Sequence, residues 1–373
     1  MWSDGSLQHV KSDCLDSIKR TFADHVPLYL VAVAYILVAG CLTAFYGLPL
    51  PFSSALFFLI TLLEVGAVVG GIAALRHLWV IFRKRSERPF SLLAQKLLAS
   101  FLVGDRVGNL AHGLAAFTPL MVVFAALKPD IARINPFSWD QQLMQTGLVL
   151  GFGKHFWQIL QPVFGHPAIT TILSFAYAAW FFVMFGCLFS QLISPRTDRL
   201  RMQFLLAFAF AWFFGGFVIA TIFSSAGPCF YAYVVHGPNP YAPLLAYLNE
   251  SSRHWPIWTV QIQRDLWHSY VTGSGDLEGI SAMPSMHVTI AVLLALFGWR
   301  VSPRLGAALT GFACLVFLAS ILLGWHYAAD CIVGAGLAVA FWWMADRAIA
   351  AWASFLARRR MLPIGKAATV SST

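Results

Sequence analysis

Long apolar runs recur along the chain and constrain its fold more than any other feature. Eight of them are long enough, or nearly so, to cross the roughly 30 Å hydrocarbon core of a bilayer. They cover residues 28–49, 54–76, 108–127, 170–193, 203–223, 285–300, 306–323 and 328–346. A backbone inside lipid must satisfy its own hydrogen bonds, which favours helices. The sequence therefore predicts an all-α, polytopic membrane helix bundle with about eight transmembrane helices.

Charged residues are scarce and unevenly placed. They make up 11% of the chain, against about a quarter in soluble domains, which excludes a soluble enzyme, a disulfide-rich secreted scaffold and a disordered chain. Of the 25 Lys and Arg residues, 20 fall in alternate inter-span segments, starting with the N-terminal one. Because basic segments stay on the cytoplasmic side, both termini are predicted to be cytoplasmic. These residues do not gather on one soluble face, so no nucleic-acid partner is expected.

The first motif that can carry chemistry is S-A-M-P-S-M-H, residues 281–287, at the outer start of the sixth run. Pro284 can begin a helix, which places His287 in the first turn. Free amides and the positive end of the helix dipole at that point would attract a phosphate. The alternative is that His287 only anchors a helix end in the head-group region.

The second motif is G-W-H-Y-A-A-D, residues 324–330. His326 and Asp330 are four residues apart, so on a helix the carboxylate could accept a hydrogen bond from one ring nitrogen. The other nitrogen would then present a lone pair, as a nucleophilic histidine requires. The alternative is an ion pair that merely holds a loop on a helix. The charge pattern places both motifs on the same predicted rim of the bundle.

Together, P-S-M-H and W-H-Y-A-A-D-C-I-V-G resemble the second and third signatures of the type 2 phosphatidic acid phosphatase superfamily, P-S-G-H and S-R-x5-H-x3-D. The resemblance implies a membrane helix bundle that hydrolyses or transfers phosphate esters without a metal or other cofactor. It also implies that His326 forms a phosphohistidine, that Asp330 orients it, and that His287 protonates the leaving oxygen. Pro284 and Ser285 would help to bind the phosphate.

The chain departs from these signatures at several positions. The first signature, K-x6-R-P, is not found, since the Arg88-Pro89 dipeptide lies on the predicted cytoplasmic side. Ser320 stands where the third signature has arginine, and Met286 replaces the glycine of the second. With G-P-C-F-Y at 227–231, these departures are similar to the inositol phosphorylceramide synthase branch, which moves a phosphorylated head group to a lipid hydroxyl.

The resemblance implies an enzyme of lipid metabolism with an extracytoplasmic active site, in a bacterial inner membrane or a eukaryotic endomembrane. Its donor would be a phospholipid or a polyprenyl-type lipid phosphate, and its acceptor water or a lipid hydroxyl. Three parts are predicted. Residues 1–107 hold the N-terminus, two accessory spans and an amphipathic surface helix; residues 108–348 form a six-helix catalytic bundle; residues 349–373 form a basic cytoplasmic tail.

The substrate's charge needs a cation, and the usual arginines are missing. Arg253 and Arg264 lie among tryptophans in the loop before the sixth span. This loop is predicted to form a lid, with one of the two arginines as a phosphate ligand. Lys154 is the alternative ligand. The other basic candidates are histidines, at positions 155, 166, 254 and 268. Glu64, in the middle of the second run, is predicted to be functional or paired, because a carboxylate there is costly.

Two other functions stay open at this point. A lipid transporter or scramblase could use His287, His326 and Asp330 as a proton relay. A family member that has lost its activity would also explain the missing cations. No metal site is expected, because the histidines lack HExxH or HxH spacing.

Overall fold

The computed structural model describes residues 4–48, 102–273 and 279–361, with isolated positions between 60 and 99. The predicted second span and the amphipathic surface helix lie mostly outside the described residues. Within the described ranges the longer elements are all helices: α1 (Asp4–Tyr46), α2 (Arg106–Leu127), α3 (Asp140–Leu150), α4 (Phe156–Phe164), α5 (Pro167–Leu192), α6 (Arg199–Ile222), α7 (Ala242–Ser252), α8 (Thr259–Thr272), α9 (Met286–Val301), α10 (Pro303–Leu322) and α11 (Ala328–Met361).

Six of the described helices, α1, α2, α5, α6, α10 and α11, are long and apolar enough to cross a membrane, and α9 is a shorter apolar helix. This confirms the all-α, polytopic membrane bundle. The total of eight spans and the cytoplasmic termini stay predictions. Glu64, one of the isolated positions described in the second run, is helical and exposed.

Helix α9 lies at the centre of the bundle, packed against α5, α6, α10 and α11. Its 16 residues span only about 24 Å at 1.5 Å per residue, less than the hydrocarbon core. Because most of its side chains are buried against other helices, it does not need the length of a lipid-facing span. Its start is enclosed by neighbouring helices, since Ser285 and Thr289 are fully buried.

Helix α6 becomes π-helical over Ala211–Ile219. Two glycines of this stretch face the start of α9: a Cβ on Gly215 would lie 3.4 Å from the sulfur of Met286, and one on Gly216 would lie 3.6 Å from its methyl carbon. The methionine that replaces the expected glycine thus packs over two glycines of α6. Single-turn π-helical bulges are frequent at functional sites.

The helix ends sort into two groups. At one end, the amide of Asp105 donates to the Pro195 carbonyl at 3.0 Å, and Arg199 pairs with Asp346 at 2.8 Å. At the other end, the segments before α3, after α6, before α9 and before α11 meet. We call this second group the site end. The loops that carry the two motifs share it, as the charge pattern predicts, and which compartment it faces stays a prediction.

Candidate active site

Both motif histidines lie at helix starts. His287 is in the first turn of α9, as predicted, and Ser285 caps that helix by accepting from the Val288 amide at 3.4 Å. The position of His326 differs from the prediction of a helical His–Asp pair. Helix α11 begins at Ala328, so His326 lies in the preceding turn, where its amide donates to the Ser320 carbonyl at 3.0 Å.

This difference changes the hydrogen-bond partner of His326. Its Nδ1 lies 2.8 Å from the carbonyl oxygen of Ala282 and 3.7 Å from Oδ2 of Asp330. The Ala282 carbonyl is therefore the closer acceptor for Nδ1, because the histidine precedes the helix, and the orienting role of Asp330 stays a prediction. Asp330 accepts from the Tyr327 amide at 2.9 Å through Oδ2, the same oxygen that lies 3.7 Å from the ring nitrogen. A carbonyl can only accept, so Nδ1 carries the hydrogen and Nε2 carries the lone pair.

His287 lies within a group of aromatic side chains on α5. Its ring stacks on Tyr177 with centroids 4.0 Å apart and lies 4.2 Å from Trp180. The centroids of the two motif histidines are 6.3 Å apart. The Tyr177 hydroxyl lies between them, 3.1 Å from Nδ1 of His287 and 3.4 Å from Nε2 of His326. Within the described ranges, the buried Nε2 of His287 has no hydrogen-bond partner.

A buried carboxylate in the first turn of α3 supports the turn that holds His326. Asp140 accepts from the Ala226 amide at 2.9 Å, from the Gly227 amide at 2.8 Å and from the Tyr327 hydroxyl at 2.8 Å. Burial raises the pKa of the Asp140 carboxyl, and these three hydrogen bonds offset part of that rise. Burial also raises the pKa of the Tyr327 hydroxyl, which favours its role as a donor.

The same loop connects Asp140 to the acceptor of His326. Ser225 accepts from the Ala282 amide at 2.9 Å with its carbonyl and from the Met283 amide at 3.1 Å with its hydroxyl. Gly227 has a φ of +100°, and a Cβ there would lie 2.5 Å from the Trp325 carbonyl oxygen. Only glycine fits that approach without strain. The three chain segments around His326 are thereby fixed to one another.

Pro284 and Ser285 are buried at the junction of α9 and α11. The Ser285 amide donates to the Asp330 carbonyl at 3.1 Å, and a Cβ on Gly334 would lie 2.8 Å from the Ser285 carbonyl oxygen. These contacts set the spacing of the two motif-bearing helices. A role for Pro284 and Ser285 in substrate binding stays a prediction.

The three predicted phosphate cations lie away from the histidines. Arg253 is 71% exposed and pairs with Glu250 at 3.0 Å, while Arg264 donates to the side chain of Asn249. Lys154 is exposed in the turn between α3 and α4. Their roles as a lid or as phosphate ligands stay predictions, and the structure brings none of these three side chains against the motif histidines.

A different lysine lies near His287. Lys128 follows α2 and is half-buried beside the segment that leads to Pro284: a Cβ on Gly279 would lie 2.7 Å from Cγ of Lys128. The positive charge of Lys128 acts on His287. In the sequence, Lys128 is followed after six residues by Asn135-Pro136. This matches the first signature with asparagine in place of arginine.

A small cavity of about 20 Å³ reaches His326 from the side of α3 and α4. That volume holds about one water molecule. His155 and Tyr241 line the cavity, together with Trp157 and Tyr327. Burial lowers the pKa of His155 and raises that of Tyr241. The cavity therefore meets the turn of His326 with neutral side chains.

Comparison with known protein families identifies the superfamily of this chain. The family model of the PAP2 superfamily matches residues 141–344, more than half of the chain, so the chain belongs to this superfamily. No curated protein and no solved structure matches it. Membership and the apolar helices together define a multi-pass membrane protein of phosphatase type. In the part of the chain that the structure describes, no cluster of three His, Cys, Asp or Glu residues could hold a metal ion.

Sequence reasoning missed three residues of this site. Lys128 could have been found by allowing asparagine in the first signature. Asp140 and Tyr177 had no such signal, because they meet Tyr327 and His287 across 187 and 110 positions of the chain. A tyrosine inside an apolar run and an aspartate in an aromatic segment are both ordinary in a membrane protein.

Proposed function

We propose that the protein is a lipid phosphotransferase or phosphatase that works through a phosphohistidine on His326. The observation that carries this proposal is the hydrogen bond of His326: its Nδ1 is held by the Ala282 carbonyl, which leaves the Nε2 lone pair facing the Tyr177 hydroxyl between the two motif histidines. An oriented neutral imidazole is the form that can attack phosphorus. We further propose that residues 108–348 form the catalytic bundle and that the site faces the extracytoplasmic leaflet.

The reaction would proceed in two half-reactions. First, Nε2 of His326 forms a bond to phosphorus while the bond to the lipid oxygen breaks; His287, protonated on both ring nitrogens in the substrate complex, gives that oxygen one proton and becomes neutral. Then His287 takes a proton from the acceptor oxygen, which attacks phosphorus and frees His326. The imidazole becomes cationic while it carries the phosphoryl group. Asp330, with its nearer oxygen 3.7 Å from Nδ1, would stabilise that charge.

Lys128 is our choice for the cation that meets the phosphate. It is half-buried at the site end, and its charge acts on His287. Helix starts supply only about half a positive charge, so a full cation is needed near a phosphoryl group in a protected site. The exposed Arg253 and Arg264 already have polar partners.

The inositol phosphorylceramide synthase-like branch is our finer assignment, with transfer of a phospho-head-group to a lipid hydroxyl. The G-P-C-F-Y segment that suggests this branch packs on the nucleophile's turn, since the Cys229 amide donates to the Gly324 carbonyl at 2.8 Å. This contact supports a role for the segment in shaping the site. Water in place of the lipid hydroxyl would give hydrolysis by the same residues.

The test uses the purified full-length protein with ³²P-labelled lipids, both monoesters and diesters, with and without a ceramide-type acceptor. We expect lipid turnover and an acid-labile, base-stable phosphoprotein. His326→Ala should abolish both, while His236→Ala, which alters an exposed histidine before α7, should leave both unchanged. Phosphoprotein at the wild-type level in His326→Ala would refute the assignment. Lipid or proton movement in vesicles without any turnover would favour the transporter alternative.

A further inference from the structure

We propose that Tyr177 is a catalytic residue whose hydroxyl donates a hydrogen bond to the transferring phosphoryl group. This inference rests on the proposed function and adds a residue to it. Tyr177 lies on α5, apart from both motifs, and its hydroxyl contacts one nitrogen of each motif histidine.

The direction of the hydrogen bonds follows from a backbone atom. The Ala282 carbonyl accepts from Nδ1 of His326, so Nε2 of His326 can only accept while the ring is neutral. The Tyr177 hydroxyl is the group 3.4 Å from that nitrogen, and it has one proton to donate. Its oxygen can then accept from Nδ1 of His287 at 3.1 Å. This leaves a lone pair on the buried, unpartnered Nε2 of His287.

The distances place the hydroxyl where the reaction occurs. An attacking atom must approach phosphorus to about 3 to 3.5 Å, and an acid must lie within about 2.6 to 3.2 Å of the oxygen that it protonates. The Tyr177 oxygen already lies at such distances from the attacking nitrogen and from His287. A phosphoryl group that reaches both nitrogens must therefore contact this hydroxyl.

The ring of Tyr177 is held too firmly to leave the site. It stacks on His287 with centroids 4.0 Å apart and on Trp325 at 6.0 Å, with interplanar angles of 13° and 3°. The residue is only 9% exposed. The hydroxyl therefore stays beside the incoming group and turns its proton from His326 to a phosphoryl oxygen. The proton remains on the phenol oxygen throughout, so Tyr177 acts as a neutral donor.

The decisive variant is Tyr177→Phe, which keeps the stacked ring and removes the hydroxyl. We expect kcat to fall about 10- to 100-fold, as for loss of a hydrogen bond to a charged group. KM should change less than threefold, because substrate binding exchanges one set of hydrogen bonds for another. Phosphohistidine formation, followed by rapid quench, should slow by the same factor as kcat. The matched control is Tyr247→Phe, which removes a hydroxyl bonded at 2.9 Å to Thr170 of the same helix.

Each outcome separates the two proposals. If the wild-type protein turns over lipid and kcat of Tyr177→Phe equals or exceeds the wild-type kcat, the role of Tyr177 is overturned. The hydroxyl would then only block the proposed nucleophile. An equal loss in Tyr247→Phe would also overturn it, by showing that removal of any tyrosine hydroxyl that contacts α5 has the same effect. Absence of turnover and of phosphohistidine in the wild-type protein would overturn the proposed function itself.

Discussion

Removal of the Asp140 carboxylate should destabilise the site end by an amount that the structure lets us estimate. Asp140→Ala leaves three buried donors, the amides of Ala226 and Gly227 and the hydroxyl of Tyr327, without their acceptor. A buried donor left unpaired costs about 1 to 3 kcal/mol. Relief of the buried charge offsets part of that sum. We expect a net loss of about 3 to 5 kcal/mol in the free energy of unfolding.

Asp140→Asn keeps one carbonyl oxygen and should cost about 1 to 3 kcal/mol. A double-mutant cycle of Asp140→Ala with Tyr327→Phe isolates the contact between Asp140 and the turn that holds His326. We expect a coupling energy of about 1 to 2 kcal/mol, measured by unfolding in mixed micelles. Turnover should fall about tenfold or more in both single variants, since small displacements of reacting groups are costly. Tyr233→Phe, at an exposed tyrosine, serves as the control. Additive effects within about 0.3 kcal/mol would refute a direct Asp140–Tyr327 interaction.

The pH dependence of the Asp140 contribution has a defined sign. The pKa of this carboxyl is raised in the folded protein, so folding favours its protonated form. Its contribution to stability is fully present below the ordinary carboxyl pKa near 3.8 and is lost as the pH rises through the raised value. The stability advantage of the wild type over Asp140→Asn should therefore shrink as the pH rises from about 4 toward neutrality. A constant difference would show that the carboxyl does not titrate abnormally.

Three further expectations concern other parts of the site. Lys128→Gln should lower kcat/KM at least about tenfold, whereas kcat/KM of Arg253→Ala should stay within about twofold of the wild type. A larger loss in Arg253→Ala than in Lys128→Gln would favour the predicted lid. Gly227→Ala should destabilise the protein by at least about 1 to 3 kcal/mol, because its Cβ would lie 2.5 Å from the Trp325 carbonyl oxygen; wild-type thermal stability would contradict this. Because burial lowers the pKa of His155, its contribution to stability is present above about pH 6.5 and is lost as the pH falls. His155→Gln should therefore flatten the dependence of unfolding free energy on pH below about 6.5. An unchanged dependence would show that His155 has an ordinary pKa.

The apolar runs predicted the membrane helices well, because hydropathy contrast with the loops is strong in such a chain. Local signals also mark some helix starts. Ser302 caps α10 and Pro303 occupies its first turn, which are the positions that serine and proline prefer at a helix start. The extent of α1 was not predictable in this way. It begins at Asp4, far before the apolar run that starts near residue 28, because a polar stretch of helix carries no hydropathy signal.

For the candidate site, the sequence was informative only over short separations. The spacing of His326 and Asp330 predicted their proximity, but the hydrogen bond to Asp330 assumed a helix at His326. The structure gives that hydrogen bond to the Ala282 carbonyl, 44 positions away in the chain. Tyr177 and Asp140 contribute through still longer separations. No period or motif encodes such contacts, since they depend on how the loops of four helices meet at the site end.

The supply of charge at this site bears on the choice of substrate. The third signature has Ser320 in place of its arginine, and the first has asparagine at position 135, which leaves Lys128 as the cation of our proposal. One lysine and a helix start provide about one and a half positive charges. A phosphate monoester carries about 1.5 to 2 negative charges at neutral pH, whereas a diester carries one. Neutral donors such as Tyr177 suit the diester, because they add hydrogen bonds without excess charge.

Among the labelled lipids of the turnover assay, we therefore expect diesters to be preferred, which is the pattern of a head-group transferase. A clear preference for monoesters would instead require a second cation at the phosphate, with Arg264 and Lys154 as the first side chains to test.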